Sequence, residues 1–197
     1  MSRTLLLGAS ALLFAACTAS SDDVGAMGEQ DTMLLAEGEA VCPDSLVLDL
    51  DAYIPESTPS TDDAGLWHEE NGMREGVVTT ASGLQYRTIQ DGLENGLTPV
   101  LGDEIAAHYH GFLPNGEVFD SSYMRDEPIF GDSDGWIRGW NEALADMKVC
   151  EARTLYIPSD LAYGDNGRVA GTLLFHMQLL RVNRPEDDLV GVDRDAD

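Results

Sequence analysis

Apolar residues recur at every second position along one long stretch in the second half of this chain. From Glu104 to Leu113, Ile105, Ala107 and Tyr109 fall on one face and Ala106, His108 and His110 on the other, as in a half-buried strand. Val77 to Thr80 and Leu84 to Gln90 are rich in β-branched and aromatic residues, and a Ser82-Gly83 turn splits them. Pro114-Asn115-Gly116 predicts a hairpin turn returning through Val118-Phe119, with a loop from Asp120 to Gly135. Ala152 to Ile157 predicts a strand ended by Pro158. Leu161 to Gly171 predicts a loop, and Thr172 to Val182 a final strand. One stretch breaks this period. In Gly135 to Lys148, Trp140, Ala143, Leu144 and Met147 recur at i, i+3, i+4 and i+7, which puts them on one helical face. The expected fold is α+β, an antiparallel sheet wrapped around one short helix that carries Trp140. That Trp is either plain core or the floor of an apolar pocket.

The first 75 residues read differently. Residues 18–44 are small, polar and acidic, as in a tether. Leu46, Leu48 and Leu50 alternate with polar or smaller residues, as in a short strand or a docking segment. Pro55 to Gly65 is turn-rich linker, and Leu66 to Asn71 predicts a short helix capped by Asp62 or Asp63. The formal net charge of −25 is unevenly spread. Residues 22–75 hold 15 acidic side chains and one basic, whereas residues 77–184 hold 15 acidic and 8 basic. The first segment repels itself and the second has the balance of a globular domain. The divisions expected are 1–16 signal peptide, 17–75 acidic tether, 76–184 domain and 185–197 disordered acidic tail. So acidic a chain is unsuited to nucleic acid.

The apolar run Leu5 to Ala16 is too short for a spanning helix, which takes about 20 residues, and suits the core of a signal peptide. Its end, Leu12-Leu13-Phe14-Ala15-Ala16-Cys17, resembles the lipobox of bacterial lipoproteins. That resemblance implies lipid on Cys17 and, from Thr18-Ala19, an outer-membrane anchor facing the periplasm; an ordinary cleavable signal is the alternative. Cys42 and Cys150 remain. Export to an oxidising space invites a disulfide, but the sequence leaves a bridge and two separate thiols equally open.

The usual enzyme signatures are missing. There is no Gly-rich phosphate loop, His68-Glu69-Glu70 is not followed by a spaced His, and the calcium-like run holding Asp132, Asp134 and Gly135 would have Phe130 at its first position and Asn141 at its twelfth, the wrong ligands. His108 and His110 share a strand face without a third ligand nearby, and Ser121 and Ser122 have no His–Asp partners. Aromatic residues are what the chain offers. One reaction needs little beyond a dry aromatic pocket, namely rotation about an X–Pro bond. Resonance sets its barrier at ~18–20 kcal/mol and makes exchange slow. In the twisted transition state the amide loses charge separation, so an apolar site favours it without moving a proton.

At this point residues 76–184 resemble a known family, the FKBP-type peptidyl-prolyl cis-trans isomerases, especially exported bacterial Mip-like members. The resemblance runs through Thr79 to Tyr86, His108-Tyr109-His110-Gly111, Phe119-Asp120-Ser121-Ser122-Tyr123 and Ile137-Arg138-Gly139-Trp140. It continues in Tyr156-Ile157-Pro158, Leu161-Ala162-Tyr163-Gly164 and Thr172 to Phe175. It implies an isomerase that assists folding in the cell envelope, with proline-containing polypeptides as substrates and no cofactor or metal. Trp140 would be the floor under the proline ring, and Tyr109, Phe119 and Phe175 its walls. The Ile137 N–H and the Tyr163 hydroxyl would bond substrate carbonyls, and Asp120, at the pocket edge, would pair with Arg125. Three departures stand out. Trp136 replaces a usual Val at the rim, Phe130 is one residue out of register with the family's aromatic wall, and residues 165–171 are a shortened flap. The short flap implies a more open site, and leaves a peptide-binding or chaperone module with little catalysis as the alternative. A surface lipoprotein acting through the acidic segment is a third reading. No helical dimerisation domain is recognisable, which implies a monomer on its tether.

Overall fold

Nine strands, all paired antiparallel, form one sheet among the described residues of the computed structural model, which are 34–36, 39–49 and 63–185. In chain order the elements are β1 (Leu34–Ala36), β2 (Glu39–Val41), α1 (Ala64–Gly72), β3 (Val78–Thr79), β4 (Gln85–Gln90) and β5 (Glu104–Phe112). They continue with β6 (Val118–Ser121), β7 (Ile129–Asp132), α2 (Arg138–Leu144), β8 (Ala152–Ile157) and β9 (Leu173–Asn183). The sheet runs β1-β2-β9-β8-β4-β3, and β5 lies along the other edge of β9 and carries β6 and β7. The alternating stretches appear where the pattern places them, within a residue or two. Three strands were not expected. β7 lies inside the stretch read as loop, and β1 and β2 lie inside the stretch read as tether. The apolar run Leu5 to Ala16 read as a signal peptide, Cys17, most of the stretch read as linker and the acidic tail are outside the described residues.

Side-chain alternation along β5 and β9 gives the sheet two apolar faces. On the inner face, α2 buries Trp140, Ala143 and Leu144 with Met147 just beyond it, against Tyr109, Leu155, Ile157, Phe175 and Met177. The helix is shorter than its apolar period suggests. Nonetheless the Met147 N–H still bonds back to the Ala143 carbonyl, so the fourth residue of the stripe stays on the same face. On the outer face, α1 lays Trp67 over Tyr156 and Leu174. Asp63 sets its start, accepting from the Leu66 N–H at 2.9 Å.

β2 continues the row that β8 begins. β8 pairs with Leu173 to Gln178 of β9, and β2 with Arg181 to Asn183. Where the two rows meet, Cys42 and Cys150 form a disulfide, which settles the pairing the sequence left open. The chain after Cys42 then crosses the outer face. The Leu48 N–H donates to Gln178 Oε1 at 2.8 Å, and Gln178 Nε2 donates to the Leu46 carbonyl at 2.8 Å. The leucine-alternating segment is therefore a strap docked on the domain rather than a strand.

Candidate active site

A cavity of ≈170 Å³ opens between α2 and the inner face of the sheet, lined by Tyr109, Phe119, Asp120, Ile129, Trp136, Ile137, Trp140, Tyr163 and Phe175. Ligand sites for drug-sized molecules run to about 300–1,000 Å³, so this one suits a single small ring. Trp140 lies at the centre. Its ring meets Tyr109 edge-on at 5.2 Å and Phe175 at 5.1 Å, and Phe119 meets Phe175 edge-on at 5.4 Å. Edge-to-face packing matches the positive ring edge to the negative ring face and fixes the walls. Gly111 makes the wall possible. A Cβ there would stand 2.8 Å from both Phe119 Cζ and Phe175 Cε1, so any larger residue would drive these rings apart.

At the cavity edge three polar groups form a closed set. The Tyr109 hydroxyl donates a short hydrogen bond to Asp120 Oδ2. Arg125 donates to Asp120 Oδ1 at 2.5 Å and to the Tyr109 hydroxyl at 2.9 Å. Burial, and after it the bond to the Asp120 carboxylate, pushes the Tyr109 phenol above its ordinary value. Burial would also raise Asp120, but the hydrogen bonds from Tyr109 and Arg125 outweigh it and hold the carboxyl below its usual range. Asp120 is thus ionised at neutral pH and already engaged. The set orients Tyr109 and offers no mobile proton.

The other rim is built by the chain entering α2. The Trp136 ring stacks obliquely on Trp140 at 5.5 Å and covers Gly131, where a Cβ would lie 2.7 Å from its Cζ2. Asn141, one turn into the helix, reaches back across this segment. Its Oδ1 accepts from the Trp136 N–H at 3.1 Å, and its Nδ2 donates to the Asp134 carbonyl at 2.8 Å. Next in the chain is Ile137, the residue preceding the first helical turn, whose N–H finds no acceptor among the described residues. Tyr163, half exposed at 49%, also lines the cavity.

Of the residues singled out from sequence, Tyr109, Phe119, Asp120, Trp136, Ile137, Trp140, Tyr163 and Phe175 all line this cavity. Phe130 does not. It is 55% exposed, and the wall position expected for it belongs to Ile129. In the β5–β7 ladder Ile129 and Gly131 lie opposite Ala107 and Ile105, on the face of Tyr109, while Phe130 opposes Ala106 on the other face. Cys17 falls outside the described residues. Asn141 is a site residue that sequence reasoning missed. Its one signal was an amide in the first turn of a helix, on the side away from the apolar stripe.

Residues 96–180 match the family model for FKBP-type peptidyl-prolyl cis-trans isomerases. The FKBP-type 22 kDa peptidyl-prolyl cis-trans isomerase of Escherichia coli (strain K12) is 44% identical over 119 residues, covering 58% of this chain and 57% of that protein. The peptidyl-prolyl cis-trans isomerase Mip of Coxiella burnetii is 42% identical over 119 residues, covering 58% of this chain and 51% of that one. This chain therefore spans about half the length of these relatives. Among solved structures, FkpA from Escherichia coli superposes with a TM-score of 0.57 at 35% identity, over 61% of this chain and 57% of that one. An isomerase from Pseudomonas syringae superposes with a TM-score of 0.56 at 29% identity, over 61% and 91%.

Proposed function

We propose, from the premise that residues 96–180 belong to the FKBP-type peptidyl-prolyl cis-trans isomerase family, that this protein rotates X–Pro bonds in polypeptides of the bacterial cell envelope. The observation that carries the reading is the aromatic cavity, sized for one ring and lined also by Ile137 and Tyr163, which can supply a backbone N–H and a hydroxyl as donors. The proline ring rests on Trp140 between Tyr109, Phe119 and Phe175. The Ile137 N–H and the Tyr163 hydroxyl hold the flanking carbonyls. Fixed in this way, the amide twists in a dry site, where its less charge-separated transition state is favoured over the planar ground state. No proton moves, which suits a site whose carboxylate is locked to Arg125 and Tyr109. An envelope location is supported by the signal-like run from Leu5 to Ala16 and by the disulfide, which persists in oxidising compartments. On this reading lipid on Cys17 anchors a monomeric domain to the outer membrane.

The test is a proline-peptide isomerisation assay with purified full-length mature protein. Asp120→Val leaves the Tyr109 hydroxyl and the Arg125 guanidinium without their common acceptor. The expected loss in kcat/KM is about tenfold, the effect of ~1.4 kcal/mol. Wild type no faster than this variant would refute catalysis. The second reading, peptide binding with little turnover, is favoured by the half-exposed Tyr163 and the short 165–171 loop; binding without acceleration would identify it.

Asn141 supplies a further check on this reading. Asn141→Ala removes both side-chain bonds to the segment before Ile137, and kcat/KM should fall about five- to tenfold. Asn141→Asp keeps the acceptor for the Trp136 N–H and loses the donor to the Asp134 carbonyl, so its activity should lie between wild type and alanine. A flat series would show that the Ile137 N–H needs no such clamp.

A further inference from the structure

We infer that the proline cavity is one end of a longer polypeptide track, which crosses Met124 to a cleft on the outer face of the sheet and takes segments bearing apolar and arginine or lysine side chains some residues from the proline. The track rests on the isomerase reading only at its cavity end.

Its middle is a groove of ≈440 Å³ that shares Phe119 and Asp120 with the cavity and continues over Val118 to Met124. Met124 is 75% exposed, an apolar side chain left at the crest of the turn Tyr123–Arg125. The same Met124 is a wall of the outer cleft, whose volume is ≈640 Å³. The three depressions therefore adjoin in sequence, each sharing at least one lining side chain with the next. The cleft has an apolar floor of Val47, Leu48 and Leu180, and at its side Tyr123 stacks on His108 at 4.5 Å. Asp44 and Asp126 stand on its border and make no ion pair among the described residues.

Two features say what fits. Apolar floor, aromatic flank and carboxylate border together suit an apolar stretch with arginine or lysine, since a guanidinium stacks on a ring while its edge meets carboxylates. A second copy of this chain fits poorly, because each copy carries a formal net charge of −25. The cleft is also held in shape before anything binds. The strap of residues 44–49, which supplies Val47 and Leu48 to its floor and Asp44 to its border, is pinned by the Cys42–Cys150 disulfide and by Gln178 to Leu46 and Leu48. Preorganisation of this kind lowers the cost of binding.

The experiment uses the oxidised full-length mature protein and paired peptides long enough to run from cavity to cleft. Each has one proline, extended on one side by Leu-Arg or by Leu-Glu repeats, with both directions made. Wild type should favour the arginine member of at least one pair by about fivefold in kcat/KM, a preference that salt weakens. The net charge alone attracts cations, so the deciding result comes from Asp44→Asn/Asp126→Asn and, separately, Met124→Glu. Each should remove most of the preference and leave turnover of a short alanine-flanked proline peptide unchanged. Equal use of arginine and glutamate peptides by wild type, or a preference that survives in both variants, overturns the track. Concentration-dependent dimerisation abolished by Met124→Glu would overturn it too, by giving the surface to a second copy. If wild type does not isomerise even the short peptide, the isomerase reading fails, and fluorescence anisotropy with the same pairs and variants still decides the track.

Discussion

Trp140→Leu is expected to lower kcat/KM for a proline peptide by about thirtyfold, the effect of ~2 kcal/mol of lost transition-state stabilisation. The ring is 4% exposed and holds Tyr109 and Phe175 edge-on and Trp136 obliquely, so leucine removes the floor and loosens three walls. Each such ring pair contributes about 0.5–1.5 kcal/mol beyond burial, and a large-to-small change in a core costs further stability. Lost folding and lost catalysis must therefore be separated. Met147→Ala provides the control. Met147 is buried on the same stripe but does not line the cavity, so its loss should destabilise by roughly 2–5 kcal/mol while leaving activity per folded molecule near wild type. Denaturant unfolding gives the folded fraction, and the isomerisation assay gives the rate. If both variants lose activity only in step with folding, Trp140 is plain core.

The same residues show what was legible in the sequence. The i, i+3, i+4, i+7 stripe around Trp140 and the alternation along β5 and β9 are decided by burial against one continuous core, and burial leaves a periodic trace. β7 left none. Its four residues have one apolar residue on each face, and it exists because β5 offers an unpaired edge. Its register also decides which side chain reaches the cavity. Since side chains alternate, a one-residue shift exchanges Ile129 for Phe130, and nothing local fixes that choice. The close approach of Trp136 to Gly131 was hidden for the same reason, because it depends on where β7 lies under the rim. β1 and β2 are three residues each, too short to carry a pattern; β2 is held by β9 and by a disulfide to a residue 108 positions away in sequence, and β1 by β2. Asn141 escaped notice because an amide on an outer helix face reads as solvated until the chain before the helix folds back against it.

Breaking the disulfide should have a large effect on stability and little effect on the cavity. Cys42 and Cys150 are 108 residues apart, a separation for which chain-entropy arguments give an upper value near ~4.7 kcal/mol. Cys42→Ser/Cys150→Ser should lose about 2–4 kcal/mol, which in a chain of this size lowers Tm by roughly 6–12 °C. The bridge pins β2 where its row meets the end of β9, so the loss should begin there. Hydrogen exchange at Ala40 and Cys42, whose main chain is tied to Val182 and Leu180, should accelerate more than exchange in β5 or β8. The residues lining the aromatic cavity come from β5, β6, β7, β9, the start of α2 and the loop at Tyr163, and of these the two cysteines bond to β9 alone, at Leu179 and Leu180, beyond the cavity residue Phe175. Turnover of a short proline peptide at low temperature should therefore stay near wild type. A Tm shift below about 2 °C would mean that strand pairing and the Gln178 bonds hold the strap without covalent help. A large loss of short-peptide activity at unchanged folded fraction would mean instead that the strap and the cavity are coupled through β9, the strand that both share.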